Sequence, residues 1–591
     1  MAPHLLEAEP YEEHKTPFAQ AFSEKRHVAS DMDATAISGL PSPTMPDYNI
    51  ERCSAEQARS LNPFLARVRL DRSPRLPGPS VFYVDGREFN RVPSPLGPHP
   101  IVELFDTCPP GHSLTMRQRL AEIIRNDSPS GILVLRYGFS NLSGTEQYPT
   151  IQLALNPKAA SEERAVELAR EAADYIFQFP TLRDLSIEIT ETAFTFYCSE
   201  NDNEKYRKWG YYLEDAYRPV PTTGTSIGPS QGSKRTGTLG GYVRVRFKRK
   251  PGLESPSTRP ASYEVVAALT CHHVVSGKPM QIIAHPENDC ISVPSAGDHE
   301  SFQKILLEPD GQVKNSYHNT PDFSFLKIKR KAGFLSKGEE KVLNLYEKME
   351  KLEKQRGELC KAFDPSQDDG DIPKMEDFGP ILDWALVAVD PFRVGFDMDC
   401  IPGVLTRDQA TKLRLSYAPS DGLHIRPHNG IDHIDDIDEL KARFGAPDDP
   451  KRSVFMIGRT SGMKLGAISE VDASVEMRIE IDGVEEPIRV VGKTTVIVTP
   501  PGAIKSDGMW AFGSKGDSGS LVYTYQGKAL AVYHGGVALF DIDGRNPEPD
   551  NARNDGIHFA TPIKDTFKDI IKVLVSDPAN AEYDIDAVEL I

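Results

Sequence analysis

Residues 512–523 read FGSKGDSGSLVY: a serine, Ser518, set among glycines at the entrance to an apolar run. Small neighbours leave both faces of that serine open, and Gly516 lets the backbone twist so that its N–H groups face one point. Nucleophilic chemistry at a hydroxyl needs both features, because an oxygen that becomes negative in a tetrahedral intermediate must be met by donors already in place. The apolar run after it, LVY, has strand character. Taken alone, GDSGS reads equally well as an ordinary turn.

A second stretch works with the first. In VVAALTCHHVV (265–275) a run of small and apolar residues ends in two histidines, with Thr270 three positions before His273. Histidine is the side chain best suited to take and return a proton near neutral pH. An isolated His-His pair at a strand end would be read as one core residue beside one exposed residue. A slip of one residue in strand register would exchange His272 for His273 as the inward side chain; with His273 inward, His272 is expected to face solvent or to cap a loop.

Outward from these stretches, the texture from 238 onward is that of many short strands. YVRVRF, SYEVVAALT, MQIIAH, FSFLKIK, DWALVAV, SVFMIG, EMRIEI, RVVGKTTVIV, SLVYTY and KALAVYHGG are rich in β-branched and aromatic residues and are separated by Gly, Pro, Asp and Asn. This is the pattern of an all-β barrel or sandwich. One segment departs from it: between Gly338 and Phe363 the residues Val342, Leu345, Met349, Leu352, Leu359 and Phe363 fall at helical spacing, which predicts a long amphipathic helix. It reads as packed on its own domain or as a pairing element. The acidic run DPSQDDGD (364–371) lacks the pattern of a calcium loop and reads as solvated.

The N-terminal part differs. Residues 1–47 have little apolar periodicity and are expected to form a flexible arm. Residues 48–217 read as an α+β domain: GILVLRYGF (131–139) and TIQLALNP (150–157) as strands, LSIEITETAFTFY (185–197) as an alternating run, and between them a helix with Ser161 as N-cap that Pro180 stops after Phe179. No catalytic constellation is evident there, so an interaction or regulatory role is expected. Residues 218–237, dense in Gly, Ser, Thr and Pro, form a linker, and 578–591 a C-terminal tail.

The motifs TGTLGGYV (236–243), LTCHHVV (269–275), DWALV (383–387), GRTSGMKLG (458–466), GDSGSLVY (516–523) and FATPI (559–563) together resemble the chymotrypsin-like (trypsin-fold) serine peptidases. The similarity is greatest to large intracellular trypsin-like proteins of fungi and plants, over roughly residues 222–577. It implies a multidomain chain: a C-terminal all-β double β-barrel of chymotrypsin type over 238–577, with the helical insertion 338–363, preceded by the α+β domain. It further implies an intracellular serine endopeptidase with no cofactor and no metal, acting on protein or peptide substrates through an acyl-enzyme. Ser518 matches the nucleophile, His273 the general base, and the N–H groups of Gly516 and Ser518 the oxyanion hole. For the acid, spacing favours Asp322, the nearer to His273 along the chain, but the resemblance favours Asp383, which opens DWAL after a helical insertion, and Asp383 is taken as the acid with Asp322 as the alternative. Phe512 matches the floor of the primary pocket, which disfavours basic side chains. Gly535 and Gly536 in YHGGV (533–537) match the strand that pairs with a substrate backbone.

In secreted relatives the aspartate beside the nucleophile pairs with a new N-terminus made by cleavage. Asp517 stands at that position, but Thr236-Gly237 would be a poor new end after Lys234-Arg235, so an internal partner is expected. The competing reading is a catalytically silent peptidase-fold protein that binds or scaffolds, with residues 48–217 or the 338–363 helix as partner surfaces.

Composition sets the outer limits. The chain has 591 residues, 39% hydrophobic and 26% charged, enough for about three folding units. A net charge of −18 argues against a general nucleic-acid or anionic-membrane binder. The seven cysteines are scattered with no CxxC pair, and neither a signal peptide nor a membrane span is evident. These features predict an intracellular, cytoplasmic protein, with a nuclear location also open, that is not secreted.

Overall fold

Strand-forming sequence becomes sheet in much of what the structure describes. A computed structural model of the protein describes residues 48–52, 64–70, 81–84, 87–139, 147–196, 223–229, 235–251, 260–275, 291–292, 379–388, 434–444, 450–479, 488–499, 512–524, 527–538, 556–576 and 580–590, with isolated positions between 327 and 343. These residues form several β-sheets and few helices. The N-terminal arm, the 338–363 helix save for isolated positions, the 364–371 run and Asp322 lie outside them.

The N-terminal strands are β1 (Phe64–Leu70), β2 (Arg87–Ser94), β3 (Pro129–Phe139), β4 (Tyr148–Leu155), β5 (Ser186–Glu191) and β6 (Ala193–Phe196). β2, β3 and β4 pair antiparallel in turn, β4 and β5 run parallel, and β1 closes on β5. Two helices cover this sheet, α1 (Met116–Ile124), with a Thr115/Gln118 capping box, and α2 (Glu162–Ile176). Ser161 caps α2 by accepting from Arg164 N at 3.3 Å, and two acidic residues occupy the first turn. α2 buries Ala165, Leu168, Ala169, Ala172 and Ile176 and ends at Ile176, earlier than Pro180 alone would require.

The alternating run 185–197 is not one strand. At Thr192 the chain is held sideways, its N–H on Leu155 O at 2.9 Å and its carbonyl accepting from Ser130 Oγ at 2.5 Å. Beyond that corner β6 leaves the N-terminal strands. Period-two alternation survives a corner of this kind, so the sequence pattern alone cannot show it.

Further along lie β7 (Gly241–Arg249), β8 (Ser262–Thr270) and β9 (Ala385–Ala388), which with the Tyr583–Leu590 strand form a four-stranded sheet in the order β9, β8, β7, Tyr583–Leu590. Residues 583–590, expected as a tail, are thus built into a sheet edge. The short α3 (His272–Val275) follows β8. Then come β10 (Ser453–Gly458), β11 (Gly462–Ile468), β12 (Ala473–Ile479), β13 (Ile488–Val498), β14 (Leu521–Thr524), β15 (Ala529–Ala538) and β16 (Ile557–Pro562), followed by helix α4 (Ile563–Ser576). The pairings β10–β11, β11–β13, β13–β16, β16–β15, β15–β14 and β14–β10 return to their starting strand, so these strands form a ring of hydrogen-bonded neighbours.

β12 stands outside the ring and joins it to the N-terminal strands. It pairs with β13, with β3 at Ser474↔Ile132, and in parallel with β6 at Met477↔Phe194. One hydrophobic cluster accordingly mixes Leu133, Leu135, Phe194 and Phe196 with Val475, Met477, Val496 and Phe559. Arg117, whose guanidinium is paired with Asp106 at 2.6 and 2.8 Å, also donates to Ser474 Oγ at 2.7 Å. Residues Tyr48–Ile591 make one compact unit. Among the described residues no helix is long and apolar enough to cross a membrane.

Candidate active site

The register of β8 against β9 brings distant residues together. Thr270 lies opposite Ala385, so Asp383, two residues before the strand, and His273, three residues past Thr270, meet at the same end of the pair. His273 Nδ1 lies 2.5 Å from Asp383 Oδ2, and the His273 backbone N–H donates to Asp383 Oδ1 at 3.1 Å. A carboxylate can only accept, so Nδ1 carries a proton, in the tautomer that leaves Nε2 bare. That Nε2 is buried and, among the described residues, has no hydrogen-bond partner. Burial alone would raise the Asp383 carboxyl, but the charge and hydrogen bond of His273, with His534 and His272 nearby, hold it well below the usual carboxylate range.

His272 is buried as well, not at the surface. The pair sits on α3 rather than on the strand, so the two-residue alternation that would turn one of them outward has already ended.

Ser518 is fully buried, in a turn fixed from several sides. Gly516 and Gly519 adopt φ of +93° and +94°, and a Cβ on Gly519 would collide with the Thr238 carbonyl and Thr270 Oγ1. Thr238 N donates to Ser518 O at 2.7 Å and Thr238 Oγ1 to Gly516 O at 3.0 Å. Among the described residues, the N–H groups of Gly516 and Ser518 donate to no protein acceptor. Ser518 Oγ donates to the carbonyl of His534 at 2.9 Å.

Asp517 has internal partners. Its Oδ1 accepts from Thr460 N at 2.7 Å and Ser461 N at 3.0 Å, and its Oδ2 from Ser514 N at 2.8 Å. Burial pushes this carboxyl up, against the pull of the Ser461, Ser514 and Thr460 donors. The GRTSG segment and Ser514 therefore hold the aspartate beside the serine turn from within the chain. Thr236-Gly237, the ends that cleavage would free, are buried, and Gly237 pairs with Ile227.

Phe512 is buried, its ring 5.9 Å from Tyr533 and 5.6 Å from His558. His558 Nδ1 lies 3.1 Å from Tyr533 Oη and its Nε2 3.2 Å from Thr499 Oγ1, and burial lowers its pKa to about 3. Gly535 and Gly536 do not face open space. They pair with Phe196 and Thr195 of β6, and a Cβ on Gly535 would strike the Thr195 carbonyl. The Phe196 ring lies 4.8 Å from the His273 ring and 5.6 Å from that of His534.

His534 was not singled out in the sequence, nor was Phe196. The Thr494 hydroxyl donates to Ala560 O at 3.2 Å, so its oxygen accepts from His534 Nε2 at 3.0 Å, leaving Nδ1 bare, buried and unpartnered. Burial lowers the pKa of His534 to about 4, the nearby Asp383 pulling the other way. No motif marks Phe196, because its role depends on the Thr192 corner and on pairing with a strand far along the chain. Cys271 could have been suspected from its place beside the histidines. Its sulfur and the ligand atoms of His273 and Asp383 lie within 4.8 Å of one another, a set with metal-ligand chemistry. The thiol instead donates to Tyr533 O at 3.3 Å, and burial and Asp383 push it well up, away from the thiolate a metal requires.

The site thus offers a buried bare imidazole nitrogen, a carboxylate orienting it, a serine in a glycine turn and two undirected N–H groups beside that serine. No protein family and no curated protein matches the chain.

Proposed function

We propose that the chain is a serine endopeptidase with the double-barrel fold of the chymotrypsin-like enzymes, the ring of β10, β11 and β13–β16 forming its second barrel. The observation that carries this reading is the His273–Asp383 pair, held at 2.5 Å with Nε2 left bare, in a chain whose GDSGS turn presents Ser518. In the reaction the Ser518 hydroxyl turns from the His534 carbonyl to His273 Nε2, which takes its proton as Oγ attacks the peptide carbonyl. The N–H groups of Gly516 and Ser518 meet the resulting oxyanion. The imidazolium, stabilised by Asp383, then protonates the leaving amine, and water releases the acyl group by the same steps in reverse. Asp383 is preferred as the acid for its contact with His273; Asp322 lies outside the described residues.

A second reading, a catalytically silent binding protein, draws on two observations: Ser518 Oγ is directed to His534 O, and the site is covered by Phe196. A fluorophosphonate probe, which reacts with activated serines, separates the two. Labelling at Ser518 that is lost in Ser518→Ala and His273→Ala and strongly slowed in Asp383→Asn, with Asp322→Asn unchanged, is expected. Absence of labelling in the full chain and in Phe196→Ala alike would overturn the enzymatic reading.

A further inference from the structure

The short strand β6 carries the chain from the N-terminal strands to the candidate site. It runs antiparallel to β15 with Phe196 opposite Gly535, Thr195 opposite Gly536 and Phe194 opposite Val537, and its other edge lies along β12. An extended peptide that adds to a sheet edge makes this pattern of main-chain bonds, with alternate side chains seated in pockets. The two seated side chains are aromatic. Phe194 meets Phe559 edge-on at 5.3 Å, while Phe196 covers the imidazoles of His273 and His534, each with a buried, partnerless nitrogen. The Ser518 hydroxyl is meanwhile held on the carbonyl of His534, the residue preceding the Gly535–Phe196 pair.

We propose that β6 is a built-in peptide ligand: it occupies the edge of β15 that an extended substrate would use, keeps the site latent, and marks as substrate an extended peptide with an aromatic residue at the place of Phe196. This rests on the peptidase reading of the site. Activation then consists in withdrawal of four residues from between β12 and β15, not in cutting a new N-terminus, which the internal partners of Asp517 make unnecessary. Gly535 suits the arrangement, since a side chain there would exclude the backbone of any strand, cis or trans.

The test uses the full chain with the fluorophosphonate probe and, separately, a fluorescein-labelled peptide of sequence ETAFTF, residues 191–196. Phe196→Ala removes the cover, and Thr195→Pro removes a strand N–H and drives β6 from the sheet. Both are expected to label at Ser518 about tenfold or more faster than the wild type, and Thr195→Pro alone is expected to capture the peptide. Because either variant can fail to fold, a double variant, Ala193→Cys with Ala538→Cys, places thiols at directly opposed positions of β6 and β15. Its oxidised form is expected to label about tenfold or more slowly than the same protein after dithiothreitol. Equal labelling of all forms without peptide capture overturns the proposal and leaves the peptidase reading intact. No labelling in any form, with the peptide captured only by Thr195→Pro, removes the catalytic reading while β6 remains the occupant of the edge. Neither labelling nor capture removes both.

Discussion

Replacing Asp517 by Asn tests whether the serine turn is held from within the chain. The carboxylate accepts three backbone N–H bonds, two on Oδ1 from Thr460 and Ser461 and one on Oδ2 from Ser514. An asparagine has a single acceptor oxygen. It keeps the larger number of bonds by placing that oxygen at the Oδ1 position, which turns its NH2 group toward the Ser514 N–H, donor against donor. The loss is one hydrogen bond to a charged group together with a buried unsatisfied donor, about 2–3 kcal/mol at Ser514. At 1.4 kcal/mol per decade this is an increase of about 30- to 100-fold in the exchange rate of the Ser514 amide, if it opens locally. The Thr460 and Ser461 amides should change by less than about threefold, since their acceptor oxygen remains. Hydrogen–deuterium exchange with residue-level mass spectrometry reads all three sites at once. Uniform acceleration at the three positions, or none at Ser514, would refute the reasoning. Fluorophosphonate labelling of the same variant should fall, because Ser518 is the next residue in the loosened turn.

Asp383→Asn should slow labelling of Ser518 by about four orders of magnitude, because an amide can no longer hold the proton on His273 Nδ1 and leave Nε2 bare; a loss under tenfold would point to another acid. Buried His534 and His558, with pKa values lowered to about 4 and about 3, should make the fold acid-sensitive. Unfolding lets each histidine take up protons from about pH 6.5, so the stability present above that pH drains away toward the folded-state values, about 2 kcal/mol per histidine by pH 5. Urea denaturation of wild type and His558→Phe at pH 8 and pH 5 reads this, and an identical pH loss in both would exclude His558 as a source. Gly519→Ala forces a φ of +94° on a residue with a Cβ and drives that atom into the Thr238 carbonyl, so a loss of about 3 kcal/mol or more is expected in the thermal transition. A shift in Tm below a degree would contradict it.

How much of this was legible beforehand follows from the range of the forces involved. The N-cap at Ser161, the glycines of the Ser518 turn and the strand texture from 238 onward depend on neighbours within a few residues, and the structure has them where the sequence pattern put them. Asp383 was preferred over Asp322 only by resemblance, against the spacing, which pointed to the nearer aspartate; the contact itself comes from the β8–β9 register, which brings Asp383 onto the imidazole. His272 was expected outside and is inside, because a helical turn begins where strand alternation was extrapolated.

Residues 185–197 show the limit most clearly. Alternation there specifies which side chains are apolar, a local property, and both halves do form strands. Which strands they meet is set by hydrogen bonds across the fold: Thr192 turned by Leu155 and Ser130, then Phe196 laid against Gly535. Pairing energy of that kind is shared between segments hundreds of residues apart and leaves no periodic mark in either. Local chemistry therefore named the serine, the histidine and the glycine turn, while long-range register brought Asp383 onto the imidazole, supplied the partners of Asp517 and laid Phe196 of β6 over the imidazole.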